Sequence, residues 1–475
     1  MNNRLNELTI KQIQDGLRSK NFSSVELTKA CLEQIKKHNP SLNAFITVCE
    51  DSALHEAKKA DILLASQGET LEDKPLVGIP IALKDLFSTK GVKTTAGSKV
   101  LENYIPPYDA TVVKKLKNAG VIIIGKTNLD AWAHGSSGEN SDFGPTKNPW
   151  NTDYVPGGSS SGSAAALAAD MCIASTGTDT GGSIRLPASF CNIVGLKPTY
   201  GRVSRYGIIA MVSSLDSIGH FTKTVEDSAL LLNVITGKDE FDATTPGVDV
   251  QNYIKNLNAG VKDIKIGIPK EYIAKGLDKT VQTRFEQALR ALESLGAIIQ
   301  ETSLPHTEYG IAVYYIIQPS EVSSNLARYD GIRYGHGREK FGDEAKRRIM
   351  LGTYTLSAGY YDAYYKKAMQ VRTLIKRDFE NAFKKVDAII TVVSPTPPWK
   401  IGEKINDPLK MYLSDIFTVT ANLAGIPGLS VPMGFANGLP VGMQILGPQF
   451  SERLLFHIGH AYQSATDFLK QKPKL

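Results

Sequence analysis

Polar and apolar positions near the N-terminus recur at helical spacing, and each such run is preceded by a hydroxyl residue. Thr9 with Gln12, and Ser23 with Glu26, have the spacing of capping boxes, in which each side chain satisfies a free backbone N–H of the other residue. The stretch LVGIPIALKD at 76–85 is apolar without helical period and predicts a strand. Pro80 inside it lacks an N–H, which predicts an edge position or an irregularity. ATVVKKLKNAGVIIIG at 110–125 predicts a helix, a glycine stop at Gly120, then a buried strand over Val121–Ile124. The order repeats later: Val281, Phe285, Ala288, Leu289, Leu292 and Leu295 mark one helix face, Gly296 stops it, and Ala297–Ile299 starts a strand. DAIITVV at 387–393 predicts another strand, ended by the breaker SPTPP. Alternation of this kind predicts an α/β protein with a largely parallel or mixed sheet. No low-complexity linker marks a cut, so one large domain over 1–475 is expected, with a helical N-terminal part at 1–65.

Composition narrows the class. The 475 residues are 42% hydrophobic and 21% charged, as in an ordinary globular protein. No run approaches the ~20 apolar residues that span a bilayer. MNNRLNELTIKQIQ has no apolar signal core, and Glu7 and Asp15 argue against a transit peptide, so a cytoplasmic location is expected. Cys31, Cys49, Cys172 and Cys191 lack metal-like spacing and read as free thiols in a reducing compartment. Net charge is +6, from 54 basic and 48 acidic residues, which does not demand nucleic-acid binding.

The chemistry concentrates in a Gly/Ser-rich region, 156–183, interrupted by the Ala-rich helix SAAALAADM. It ends in TGTDTGGSIRLPA, where Ser183 is a candidate nucleophile whose nearest histidine in sequence is His220. Two motif matches compete. GVIIIGKT at 120–127 fits a phosphate-binding loop and so a nucleotide-binding protein, but four branched residues between its glycines favour a strand over a loop curled round a phosphate. GSSSG at 158–162 fits a nucleophile elbow centred on Ser160. That elbow needs a preceding strand and a histidine, whereas NTDYVPGG reads as loop and His220, His306, His336, His457 and His460 stand in no telling context. Lys84, ending the apolar strand, is an alternative base, because burial disfavours its ammonium and a neutral amine accepts a proton. Its bland reading is an ion pair with Asp85.

Taken together, VGIPIALKD, GKTN, NPWN, PGGSSSGSAAA, GTDTGGSIRLPA and GLKPTYGRVSRYG, strongest across 76–220, resemble the amidase signature family. The resemblance covers almost the whole chain. It implies a single α/β domain with a central mixed sheet flanked by helices, and a serine hydrolase with a Ser–cis-Ser–Lys triad. On this sequence the nucleophile falls on Ser183, the relay serine on Ser159 after a cis Gly158–Ser159 bond, and the base on Lys84. Thr180, Gly181 and Gly182 then supply the oxyanion hole, with Asp179 and Arg185 as a supporting ion pair.

KRRIMLGTYTLSAGYYDAYYKKAMQVRTLI at 346–375 and MYLSDIFTVTANLAGIPGLSVP at 411–432 are similar to the family's glutamine-hydrolysing amidotransferase subunits. This implies free glutamine as substrate, gripped at its α-carboxylate by Arg348 and at its α-ammonium by Asp415. It also implies partner subunits B and C, with ammonia passed to a partner that activates glutamate on Glu-tRNA(Gln) using ATP and Mg²⁺. No metal or nucleotide cofactor is implied in this chain, and a stand-alone amidase acting on small amides is the alternative. Two departures stand out: Ser161 where the family usually has glycine, and a segment after YDGIRYGHG (330–337) that looks short before FGDEAKRR.

Overall fold

The fold is seen in a computed structural model that describes residues 4–66, 74–273, 276–332, 336–405 and 407–475. The strands of these residues are β1 (Phe45–Val48), β2 (Pro80–Lys84), β3 (Ile122–Thr127), β4 (Ala174–Asp179), β5 (Val194–Lys197) and β6 (Ser217–Thr222) in the first half. The second half adds β7 (Lys265–Pro269), β8 (Ile298–Thr302), β9 (Ala388–Val392), β10 (Gly428–Ala436) and β11 (Leu439–Leu446). All pair into one mixed sheet of order β1-β3-β2-β4-β6-β5-β10-β11-β9-β7-β8. The parallel pairs β2/β3, β2/β4, β7/β9 and β7/β8 flank a central run of antiparallel ones, and helices cover the sheet so that β2, β4, β5, β6, β9 and β11 are buried throughout.

Most local expectations hold, and the exceptions have physical causes. Both capping boxes form, at Thr9 and Ser23. Gly120 (φ 87°) and Gly296 (φ 95°) end their helices in the left-handed region, which a side chain disfavours. The strand expected over Val121–Ile124 starts one residue later and runs to Thr127, because polar Lys126 and Thr127 are buried with partners rather than exposed. Pro80 is not on an edge strand: β2 lies between β3 and β4. It is tolerated as the first residue of the strand, and the register against β3 slips between Ile81 and Ala82. SAAALAADM contributes to a helix over Ser161–Ala168 in which every residue is buried, so small side chains are required on all faces. Of the segment 330–337, residues 333–335 lie outside the described residues.

The fold disposes of the phosphate-loop match. GKT belongs to β3, and the Lys126 amine is fully buried against the Asp85 carboxylate at 3.0 Å. It also donates to the Phe87 carbonyl (2.9 Å) and Thr94 Oγ1 (2.7 Å), so it has no freedom to hold a phosphate. Asp85 therefore pairs with Lys126, not with its neighbour Lys84. Removing one member of a buried pair strands the other charge, so Lys126→Met should cost ~3–5 kcal/mol. A lowered melting temperature that Asp85→Asn partly restores in the double variant checks this. Calorimetry of the unaltered chain with Mg·ATP should register no binding.

Candidate active site

β2 and β4 run parallel, with Ile81 opposite Ala174 and Ala82 opposite Ser175, so the C-terminal ends of both strands emerge at the same side of the sheet. Lys84 ends one and Asp179 ends the other. Side chains two apart in a strand share a face, and Thr176 and Thr178 accordingly both meet Lys84. Thr176 Oγ1 accepts its backbone N–H at 3.0 Å, and Thr178 Oγ1 accepts from its amine at 2.8 Å. The same amine, fully buried, donates to Ser159 Oγ and Ser160 Oγ, each at 2.9 Å. Ser159 follows a cis peptide bond from Gly158.

This arrangement sorts the hydroxyls. Ser160 Oγ donates its own proton to the Thr178 carbonyl (3.2 Å), so toward Lys84 it can only accept. Ser159 is thus the serine able to turn its proton toward a neutral Lys84. Burial pulls the Lys84 pKa down to about 7, against the opposing pull of Asp130, Asp216 and Asp179. An ordinary lysine stays charged at that pH; this one is divided between its two forms.

Ser183 follows β4 in the turn that opens the helix Arg185–Cys191. Its carbonyl accepts from Ser160 N–H at 3.3 Å, tying the 180–183 loop to the 158–160 loop, and unlike Ser159 at 0% it keeps 9% exposure. Among the described residues, no protein acceptor takes the backbone N–H of Thr180, Gly181, Gly182 or Ser183. Free amides beside a candidate nucleophile are what a developing oxyanion needs. The glycine at 181 is required by packing, because an added Cβ would sit 2.7 Å from the Tyr314 ring. Thr418 Oγ1 holds the Gly181 carbonyl at 2.5 Å, and Thr180 Oγ1 donates to Asp216 at 2.7 Å.

Asp179 and Arg185 form the expected ion pair, fully buried and two-pronged, with Nε and Nη2 each 3.0 Å from a carboxylate oxygen. Burial alone would raise the Asp179 pKa; Arg185, Lys197 and Asn422 reverse this and hold it at about 2. Asp179 also accepts the N–H groups of Ile184 (3.2 Å) and Arg185 (3.3 Å), fixing the turn on which Ser183 sits.

Arg348 and Asp415 come from the second half and meet at Tyr315. Asp415 Oδ2 accepts from Ser136 Oγ (2.8 Å) and Tyr315 hydroxyl (3.0 Å), and Ser136 in turn accepts Gly158 N–H through its carbonyl at 2.9 Å. Burial lifts the Asp415 pKa to about 7, while Ser136, Tyr315 and Arg348 restrain the rise. Arg348 is buried, lies over the rings of Tyr315 (5.8 Å) and Tyr412 (6.0 Å), and donates through Nε to Glu344 at 2.7 Å. Arg348 and Tyr412 line a cavity of about 420 Å³.

Four of the histidines weighed as bases are occupied elsewhere: His220 with Ser228, His306 with Asp378, His336 with Glu102 and His460 with Asn258. Among the described residues no strand leads directly into Ser160, so the elbow context is missing as well. Among the described residues, no three His, Cys, Asp or Glu side chains converge as metal ligands would. Ser161 donates to Thr146 Oγ1 at 3.1 Å and packs beside Gly138.

A model of the amidase family matches residues 26–456. The chain belongs to the amidase family. Its similarity to the A-subunit of glutamyl-tRNA(Gln) amidotransferase from Carboxydothermus hydrogenoformans is 54% identity over 483 residues, 98% of this chain and 99% of that protein. The Pseudomonas entomophila protein of the same name is 53% identical over 484 residues, 99% of each chain. Among solved structures, the A-subunit from Thermotoga maritima superposes with a TM-score of 0.83 at 45% identity, covering 98% of this chain and 96% of that one. The peptide amidase of Stenotrophomonas maltophilia also reaches 0.83, at 30% identity and 98% coverage of both.

Sequence reasoning did not single out several groups that surround these residues: Thr178 on the Lys84 amine, Thr418 under Gly181, and Ser136 and Tyr315 on Asp415, while Ser160, weighed as an elbow nucleophile, accepts from Lys84 instead. Thr178 alone carried a readable signal, the alternation Thr176, Thr178, Thr180 along a strand. Replacing Thr178 with the near-isosteric Val removes an acceptor that favours the ammonium. Lys84 should then titrate about one to two pH units lower, since a hydrogen bond to a charged group is worth ~1.5–3 kcal/mol and a unit is about 1.36. Lysine ζ-nitrogen NMR followed from about pH 5 to about pH 9 reads the shift; an unmoved titration would mean burial alone sets it.

Proposed function

We propose that this amidase-family chain hydrolyses glutamine as the A-subunit of a glutamyl-tRNA(Gln) amidotransferase. The observation that carries the reading is the buried Lys84 amine bonded to Ser159 beside Ser183, with Asp415 tied through Ser136 to Gly158 and Arg348 acting on Asp415 by its charge. The names of relatives at 54% and 53% identity point the same way.

Ser183 Oγ attacks the carboxamide carbon of glutamine. Its proton passes to Ser159 Oγ, and the Ser159 proton passes to neutral Lys84. The new oxyanion accepts from free amides of the 180–183 loop. Collapse breaks the C–N bond, and the nitrogen takes back a proton along the same path and leaves as ammonia. Water, deprotonated by the same relay, then cleaves the glutamyl ester to glutamate and regenerates Ser183. Ammonia goes to partner subunits, B and C by analogy, where ATP and Mg²⁺ activate Glu-tRNA(Gln). The proposed location is the cytoplasm, with the tRNA that the complex serves; no helix of the described residues is long and apolar enough to cross a membrane. A stand-alone amidase would share the triad but has no use for a buried Arg–Asp pair facing both ends of an amino acid.

In the purified complex, Ser183→Ala should abolish acyl-enzyme formation from glutamine. Lys84→Ala should lose at least ~10²-fold in acylation rate, the scale of a general base. A retained acylation burst in Lys84→Ala would sink the lysine relay.

Substrate identity has its own test. Arg348→Ala or Asp415→Ala should narrow the preference for glutamine over butyramide by ~10-fold or more, because an unpaired buried partner penalises the poorer ligand. Equal hydrolysis of both amides by the unaltered complex would indicate a general amidase.

The pH profile separates the two roles. Neutral Lys84 and ionised Asp415 are both deprotonated forms, each with a pKa of about 7 in the free protein. Activity on either amide therefore falls as pH drops through that value. On the acid side, log kcat/KM should rise with slope near two for glutamine, which needs both groups, and near one for butyramide, which needs only Lys84. A slope of one for both amides would remove Asp415 from ammonium recognition.

A further inference from the structure

The loop between β3 and the relay serine holds a polar side chain that nothing in the mechanism uses. His134 is fully buried, yet among the described residues neither ring nitrogen has a hydrogen-bond partner. It lines the cavity of about 420 Å³ that Arg348 and Tyr412 also line. Leaving two buried ring nitrogens unpaired is costly, and the surrounding loop is built to hold the ring there.

Asp130 folds that loop, its carboxylate accepting N–H groups from Gly138 (3.0 Å) and Asn140 (2.9 Å), while Asn140 Nδ2 donates to the His134 carbonyl at 2.7 Å. The two residues before His134 stand in left-handed backbone, Trp132 at φ 59° and Ala133 at φ 64°. For a bulky residue such as tryptophan this conformation is disfavoured and persists only where the surroundings enforce it. They do so here: the Trp132 ring packs against Tyr329 (4.8 Å) and Phe341 (5.3 Å). Strain, burial and unpaired nitrogens coincide at one wall of the cavity.

We propose that His134 is a specificity-determining residue that donates a hydrogen bond to the α-carboxylate of the amino-acid amide, beside Arg348. The proposal rests on the glutamine reading above and adds a second recognition group to it. Burial and the Arg348 charge hold the imidazole well below its usual range, so the ring is neutral, with one N–H to give and one nitrogen to accept. A neutral donor next to a guanidinium lets two groups share one carboxylate without adding a second buried charge. Simple amides without that carboxylate gain nothing from it.

The test uses the purified complex and compares kcat/KM for glutamine with that for butyramide. In His134→Leu the ratio should fall ~10- to 100-fold, chiefly through KM for glutamine, as expected for a lost bond to a charged group. His134→Gln, which keeps an N–H donor, should recover part of the ratio. An unchanged ratio in His134→Leu, or an equal loss on both amides, overturns the proposal; should that variant not fold, an unchanged ratio or an equal loss on both amides in His134→Phe overturns it. If the unaltered complex shows no preference for glutamine, the functional reading fails first, and Arg348→Ala will then leave the ratio where it was.

Discussion

A primary amine with no access to water, held at the ends of two parallel strands, is the constraint around which the rest of this molecule is arranged. Moving an ammonium from water into a protein interior costs several kcal/mol unless its donors are matched. Here Ser159, Ser160 and Thr178 match all three. The match does not restore an ordinary lysine, because neutral hydroxyls compensate less than water or a carboxylate would. The outcome is an amine near its own titration point, which is where a proton acceptor is most useful. Had Asp85 been its partner, the amine would have stayed charged. Pairing Asp85 with Lys126 instead keeps that carboxylate satisfied and away from Lys84.

The second buried charge system does a different task. Arg185 pairs with Asp179 at the end of β4 and also donates to Gln444 on β11 (2.8 Å), to Asn422 (2.7 Å) and to the Thr418 carbonyl (3.0 Å). These partners lie more than two hundred residues away in the chain, so the nucleophile loop is registered against the second half of the sheet by one guanidinium. Thr418 then reaches back to Gly181. The two halves of the chain are therefore joined through the site itself, and no cut between them leaves the loop 180–183 with its geometry.

The substrate wall is tuned by burial as well. Asp415 sits among Ser136, Tyr315 and the field of Arg348, and is divided between its protonated and ionised forms at about pH 7. A ligand bearing a positive charge would complete the carboxylate's environment, whereas a neutral one leaves it poorly served. In the proposed function, ammonium binding and proton release would be linked at this wall, while proton acceptance would be set separately at Lys84. His134, held neutral by burial and by Arg348, lines the cavity that Arg348 also lines.

Local pattern determined a good deal of this protein by itself. The capping boxes at Thr9 and Ser23, the stops at Gly120 and Gly296 and the strand character of VIIIGKT are encoded within a few residues, since they depend on local hydrogen bonds and backbone preference. The positions of Lys84, Ser159 and Ser183 were legible through a family resemblance carried by their flanking motifs, and so were Arg348 and Asp415. Tertiary structure alone decided what surrounds them. It placed Pro80 at the head of a central strand, gave Asp85 to Lys126, sent Thr178 to the Lys84 amine and brought Ser136 and Tyr315 onto Asp415. Each of these depends on which strands lie side by side and on residues up to 279 positions apart. A sequence can mark a lysine as buried, but the pKa of that lysine belongs to its neighbours, and neighbours exist only after the sheet has formed.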